Sequence, residues 1–118
     1  MNHIKNTERT VRRILNTAAK LVVADNEDTT FSCLAIREAS NKVTGSYYSD
    51  EATEAKRHYL NLFSPYRFGD GRLSDNYGPG RKPFGSAVSF WDREASPERQ
   101  LQRRDALLFA AASYEYAV

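Results

Sequence analysis

Residues 7–25 read TERTVRRILNTAAKLVVAD, and the spacing of the apolar positions in this stretch decides the fold class. Val11, Ile14, Leu15, Ala18, Leu21 and Val22 recur at intervals of three and four, the period of one face of an α-helix. Arg9, Arg12, Arg13, Asn16 and Lys20 fall on the opposite face. Asn6 or Thr7 is the expected N-cap, and Glu8 stands in the first turn, where the helix dipole favours an acid. Asp25-Asn26-Glu27-Asp28 then breaks the pattern.

The same period returns in three further segments. A second helix is predicted over residues 30–43, with cap candidates at 28–30 and a stripe of Phe31, Leu34, Ala35, Glu38 and Ala39 that Cys33 and Ile36 flank. Gly45 is placed to end it in a left-handed conformation. After a short connection over residues 46–49, a third helix is predicted from Ser49 or Asp50 to just before Pro65. Its stripe is Ala52, Ala55, Tyr59, Leu62 and Phe63, with acids in the first turns and Lys56, Arg57 and His58 later. The last helix starts at an N-cap, Ser96, followed by Pro97 and Glu98. Its predicted core face is Leu101, Leu108, Phe109, Ala112 and Tyr116, with Leu107 and Ala111 adjacent and Arg99, Arg103 and Arg104 toward solvent. Asp105 falls on or near that face, so an arginine partner is expected for it. Four amphipathic helices bury their stripes together most simply as a small, mainly α, four-helix bundle-like domain. Leu15, Leu34, Leu62 and Leu108 are expected in one core.

Between the third and fourth helices the composition changes. Residues 64–86 hold five of the six glycines and three of the four prolines, which predicts a long irregular loop. Order is expected to return over residues 84–91, as a short helical turn with Phe84, Ala87, Val88 and Trp91 on one side, or as an extended packing segment.

A length of 118 residues suits one domain, 1–118. The single cysteine, Cys33, excludes an internal disulfide and cysteine-rich zinc sites. No apolar run approaches the roughly 20 residues of a membrane span, and residues 1–6 carry no apolar signal region. The expected address is the cytoplasm, without membrane association. The net charge of +2 permits an anionic partner without demanding one.

No catalytic constellation is legible. His3 and His58 are not one helical turn apart with a glutamate between them, so a metalloprotease-like pair is absent. Cys33 reads as a small hydrophobe beside the apolar face of its helix. Asp70 and Asp75 lack the spacing of a calcium loop. The expectation is a non-enzymatic protein with no cofactor and no metal.

The candidate binding residues lie in the Gly/Pro-rich loop, where Tyr66, Arg67, Phe68, Arg72, Tyr77, Arg81 and Lys82 interleave aromatic rings with cations. Such a composition fits a protein interface. It also fits stacking on unpaired bases, or simple pinning of the loop onto the bundle. The mild overall charge ranks nucleic acid behind protein. Arg9, Arg12, Arg13 and Lys20 on the first helix form a secondary candidate for an acidic partner or phosphate, although such a stripe is ordinarily the solvated face of an amphipathic helix.

Two patches resemble a family of small helical bacterial and phage domains of unknown function. One is the cysteine-containing run Phe31-Ser-Cys-Leu-Ala-Ile-Arg-Glu-Ala39. The other is Phe90-Trp91-Asp92 followed by Arg104-Asp105-Ala106-Leu107-Leu108. The resemblance implies a helical fold and an accessory protein of a phage or mobile element. One form of this is a modulator that inhibits a host complex through protein–protein contact. The alternative expectation is an RNA- or single-stranded-DNA-binding module that uses the basic aromatic loop and the first-helix cations.

Overall fold

The periodicity of the first helix is realised over a longer span than its caps suggest. In the computed structural model, which describes the backbone of residues 2–63 and 96–115 and the side chains of 6–63 and 96–115, α1 runs Asn2–Val22. Asn6 and Thr7 therefore lie inside the helix rather than at its cap. Val11, Ile14, Leu15, Ala18 and Val22 are fully buried, as their spacing requires.

A tight corner follows. Asn26 caps a single 3₁₀ turn, Glu27–Thr29, its side chain accepting from the Asp28 N–H at 2.9 Å. The Thr29 hydroxyl is buried and donates to the Leu21 carbonyl at the end of α1. This turn occupies the residues expected to cap the second helix, so α2 begins slightly later, at Ser32–Thr44, with no side-chain cap on Phe31. Gly45 ends α2 at φ 83°, a left-handed conformation that glycine adopts without a Cβ penalty.

The connection to α3 (Asp50–Phe63) is held by hydroxyls. Thr44 Oγ1 donates to the Ser46 carbonyl, and Ser49 Oγ accepts from the Ala52 N–H at 3.2 Å, serving as the N-cap. α4 spans Pro97–Ser113, and Ser96 accepts from the Arg99 N–H, the cap that its sequence announces. The described residues form a mainly α, four-helix bundle-like fold, and the helices alone cover more than half of the chain. None of the described helices is long and apolar enough to cross a membrane. The expected segment at 84–91 lies outside the described residues.

α1 is the central element and packs against all three other helices, most extensively α4 and α2. It runs antiparallel to α4. Arg12, midway along α1, donates Nε–H and Nη2–H to the Tyr114 carbonyl just past the end of α4 (3.1 and 2.7 Å), and Gln100 in the first turn of α4 donates to the Val22 carbonyl at the end of α1 (3.2 Å). The buried cluster to which both helices contribute includes small residues: Ala18 and Ala19 from α1, and Ala106, Ala110 and Ala111 beside Leu107 from α4. Small residues let two helix axes approach to the short end of the usual ~8–10 Å range.

That packing corrects the expected core face of α4. Its buried positions are Arg103, Ala106, Leu107, Ala110, Ala111 and Tyr114, one continuous helical stripe. Leu101, Phe109 and Ala112 face outward with Leu108, while Tyr116 lies outside the described residues. Of the four leucines expected in the core, Leu15 is fully buried. Leu34, Leu62 and Leu108 retain 39%, 39% and 42% exposure. Arg103 was expected toward solvent; instead it is buried, its Nε–H donating to the Thr30 carbonyl and its guanidinium lying 5.2 Å from the Phe31 ring centre. It thereby closes the corner between α1 and α2. Asp105 is exposed and accepts two hydrogen bonds from Arg104, so it has an arginine partner but not on a core stripe.

Candidate interaction groove between α2 and α3

α2 and α3 are antiparallel neighbours tied at both ends. Tyr59, fully buried, donates its hydroxyl to Ser32 Oγ at 2.8 Å, and the Thr44–Ser49 hydroxyl pair meets at 2.9 Å at the other end. Between these ties the facing side chains on the outer side of the seam are short. Ser40 on α2 and Ala52 on α3 are buried yet too small to fill the space above them. The Ser40 hydroxyl is satisfied within its own helix, bonded to the Ile36 carbonyl at 2.7 Å, and does not bridge the gap. A cleft of about 220 Å³ results, walled by Cys33, Leu34 and Ile36. It opens toward Leu60 into a shallower trough of about 650 Å³.

Cations stand along the rim: Arg37 on α2, Lys56 and Arg57 on α3. Arg57 is paired with Glu54 on its own helix. Among the described residues Arg37 and Lys56 have no carboxylate within ion-pair distance, and none of the described residues that line either part of the groove is Asp or Glu. The Arg37 guanidinium lies 4.5 Å from the centre of the Tyr47 ring, a cation–π contact that holds it over the cleft. The Tyr47 and Tyr48 rings meet at 4.5 Å with their planes tilted by 42°. Tyr48 is 80% exposed. The Tyr48 hydroxyl titrates above the ordinary phenol value of 10.0, first because it is hydrogen-bonded to Tyr47 and then because of charge on Tyr47. It is therefore an uncharged hydrogen-bonding group at neutral pH.

The two sets of residues singled out in the sequence fare differently. Tyr66, Arg67, Phe68, Arg72, Tyr77, Arg81 and Lys82 lie outside the described residues. Arg9, Arg12, Arg13 and Lys20 come together on the outer face of α1, beside Asn16 and Thr17. From Arg9 to Lys20 this stripe is about 16 Å long. Arg9, Arg13 and Lys20 are exposed. Arg12 is not simply solvated: besides holding the Tyr114 carbonyl it pairs with Glu8 at 2.7 Å.

Arg37, Tyr47, Tyr48 and Lys56 were not singled out from the sequence. The available signal was two adjacent tyrosines in a connection too short to bury both. His58 is half-buried and donates from Nε2 to the Ala110 carbonyl at 2.9 Å. Burial holds its pKa below 6.5, opposed by that hydrogen bond. Among the described residues no three His, Cys, Asp or Glu side chains group as a metal site would need. No protein-family model, curated protein or solved structure matches the chain.

Proposed function

We propose that this protein is a non-enzymatic binding module of the cytoplasm that acts through protein–protein contact, seating its partner in the α2–α3 groove. The observation that carries this reading is the cationic rim of Arg37 and Lys56, which no carboxylate among the described residues pairs, above an apolar floor. An apolar centre ringed by polar groups, with Arg and Tyr as anchors, is the anatomy of a protein interface. A modulator of a larger host assembly, of the kind the phage-domain resemblance suggests, is a concrete form of this role. A second reading, RNA or single-stranded DNA binding, is supported by the alignment of Arg9, Arg13 and Lys20 along α1, where the neighbouring Glu8 is engaged by Arg12.

Affinity capture from lysate followed by mass spectrometry, with and without nuclease, tests both readings. The proposal expects a captured protein that survives nuclease and is lost from an Arg37→Glu/Lys56→Glu variant. Arg9→Glu/Arg13→Glu should leave that capture intact. A nuclease-sensitive capture that depends on Arg9 and Arg13 supports the nucleic-acid reading instead. Replacing residues 66–82 with a Gly/Ser linker separates the loop candidates from the groove. Loss of capture on that replacement alone would overturn the groove as the site.

A further inference from the structure

We infer that the occupant of the α2–α3 groove is an acidic peptide segment of a partner protein, with an aliphatic or aromatic anchor flanked on both sides by carboxylates. The inference rests on the reading of the groove as a protein-binding site and names the chemistry of what it binds.

Shape supplies the first constraint. The groove is open, a narrow part of about 220 Å³ continuous with a shallow trough of about 650 Å³, whereas a small-molecule pocket encloses most of its ligand's surface. The narrow part takes the side chain of a larger molecule, while the broader trough over Leu60 carries the neighbouring chain. The walls of Leu34 and Ile36 make that side chain apolar.

Charge supplies the second constraint. Arg37 and Lys56 stand on different helices, on opposite banks of the cleft, with no acid among the described residues that line it. An occupant that covered them without bringing negative charge would strip water from two cations and leave them unpaired, which is costly. The occupant must therefore present an acid toward each bank, one on either side of its anchor.

The third constraint separates peptide from nucleic acid. Stacked bases need open ring faces and a dense line of cations. Arg37 already lies over the Tyr47 ring, and Tyr48 tilts against that ring. The floor is aliphatic rather than flat, and one of the three rim cations, Arg57, is engaged by Glu54. The exposed Tyr48 side chain, its hydroxyl shared with Tyr47, offers a polar edge to a peptide backbone.

The test uses the full chain and four fluorescein-labelled probes: a synthetic peptide alternating Glu with Leu and Phe, its lysine counterpart, polyglutamate, and oligouridylate. Fluorescence anisotropy should show saturable binding of the Glu/Leu/Phe peptide, with polyglutamate and oligouridylate about tenfold weaker or worse and no binding of the lysine peptide. Arg37→Glu/Lys56→Glu, at two exposed positions, should weaken the peptide about tenfold or more, with an unchanged circular-dichroism spectrum. Cys33, the only cysteine of the chain, lines the cleft. Its alkylation by iodoacetamide should slow when the Glu/Leu/Phe peptide is saturating.

Equal binding by polyglutamate or oligouridylate overturns the inference, because the anchor would then contribute nothing. So does peptide binding that ignores the charge reversal or leaves Cys33 unprotected. Failure of the acidic peptide while lysate capture still depends on Arg37 and Lys56 refutes the occupant and leaves the groove. Failure of the peptide together with capture that is indifferent to those residues refutes both.

Discussion

Two helix seams in this bundle are built from similar small residues and end up in opposite states. Along α1–α4, Ala18, Ala19, Ala106, Ala110 and Ala111 share one buried cluster with Leu107, and the seam is closed. Along the outer side of α2–α3, Ser40 and Ala52 leave a cleft between Arg37 and Lys56. The difference lies in what accompanies the small residues. On α1–α4 they extend over several turns, so the helices approach along their length, and backbone carbonyls at both ends are held by Arg12 and Gln100. On α2–α3 the ties sit at the two ends, Tyr59–Ser32 and Thr44–Ser49, and the outer middle is spanned by a short hydroxyl and a methyl. Small side chains close a seam when the helices can slide together over them. Where end contacts set the spacing, the same residues open a groove.

The largest expected effect tests whether the α1–α4 seam carries the stability. Leu107→Ala should destabilise the fold by roughly 2–5 kcal/mol, the range for a fully buried leucine in a close-packed site. Leu34→Ala, at a 39% exposed wall of the groove, should cost under about 1 kcal/mol. Chemical denaturation of the two variants checks the contrast. Equal losses would mean that the groove is as much core as the closed seam, and the comparison would collapse.

This contrast also marks where the sequence was readable. The first helix could be read because its polarity is one-sided: Val11, Ile14, Leu15, Ala18 and Val22 inside, Arg9, Arg13 and Lys20 outside. The starts of α3 and α4 and the end of α2 were legible from Ser49, from Ser96 with Pro97, and from Gly45, because cap chemistry is local. α4 defeated the same method because it is apolar on both sides. A choice by size selects Leu101, Leu108 and Phe109, whereas the bundle selects the alanine face, since only small residues permit the close approach to α1. Arg103 went unread for a related reason. Its burial depends on Thr30 and Phe31, more than seventy positions away in the chain. The groove was illegible because it is made by what Ser40 and Ala52 lack, and an unfilled space has no periodicity.

A middle-sized effect concerns the ties themselves. Tyr59→Phe removes the hydroxyl that donates to the buried Ser32 Oγ at one end of the α2–α3 seam. The expected cost is about 1 kcal/mol. If this tie sets the helix spacing, the variant should also change the rate at which iodoacetamide alkylates Cys33 in the cleft. Arg12→Met at the α1–α4 seam removes a charged donor of two hydrogen bonds to Tyr114. Its partly exposed position holds the loss to about 1 kcal/mol as well, but Cys33 reactivity should not move. A Cys33 rate that responds equally to both variants, or to neither, would show that the end tie does not control the groove.

The smallest expected effect belongs to a third seam, α3–α4, and depends on pH. His58 donates from Nε2 to the Ala110 carbonyl and lies edge-on to the Tyr114 ring at 5.1 Å. Tyr114 in turn donates its hydroxyl to Glu54 at 3.0 Å. Burial among these groups disfavours the imidazolium, so the folded-state pKa falls below the ordinary 6.5 even though the hydrogen bond to Ala110 opposes the shift. The unfolded chain therefore takes up this proton at a higher pH than the folded chain. The resulting stabilisation is fully present above about pH 6.5 and is lost as the pH falls through the folded-state value. His58→Gln has no group that titrates in this window and keeps an N–H for the Ala110 carbonyl. The stability difference between wild type and His58→Gln, followed by urea midpoints from about pH 8 down to about pH 5, should shift against the wild type as acid is added. Because His58 is only partly buried, solvent screens the effect, and it should be smaller than that of either tie. A difference that stays flat across the window would mean that the α3–α4 seam leaves His58 as hydrated as in the unfolded chain, and that this seam is open like the groove rather than closed like α1–α4.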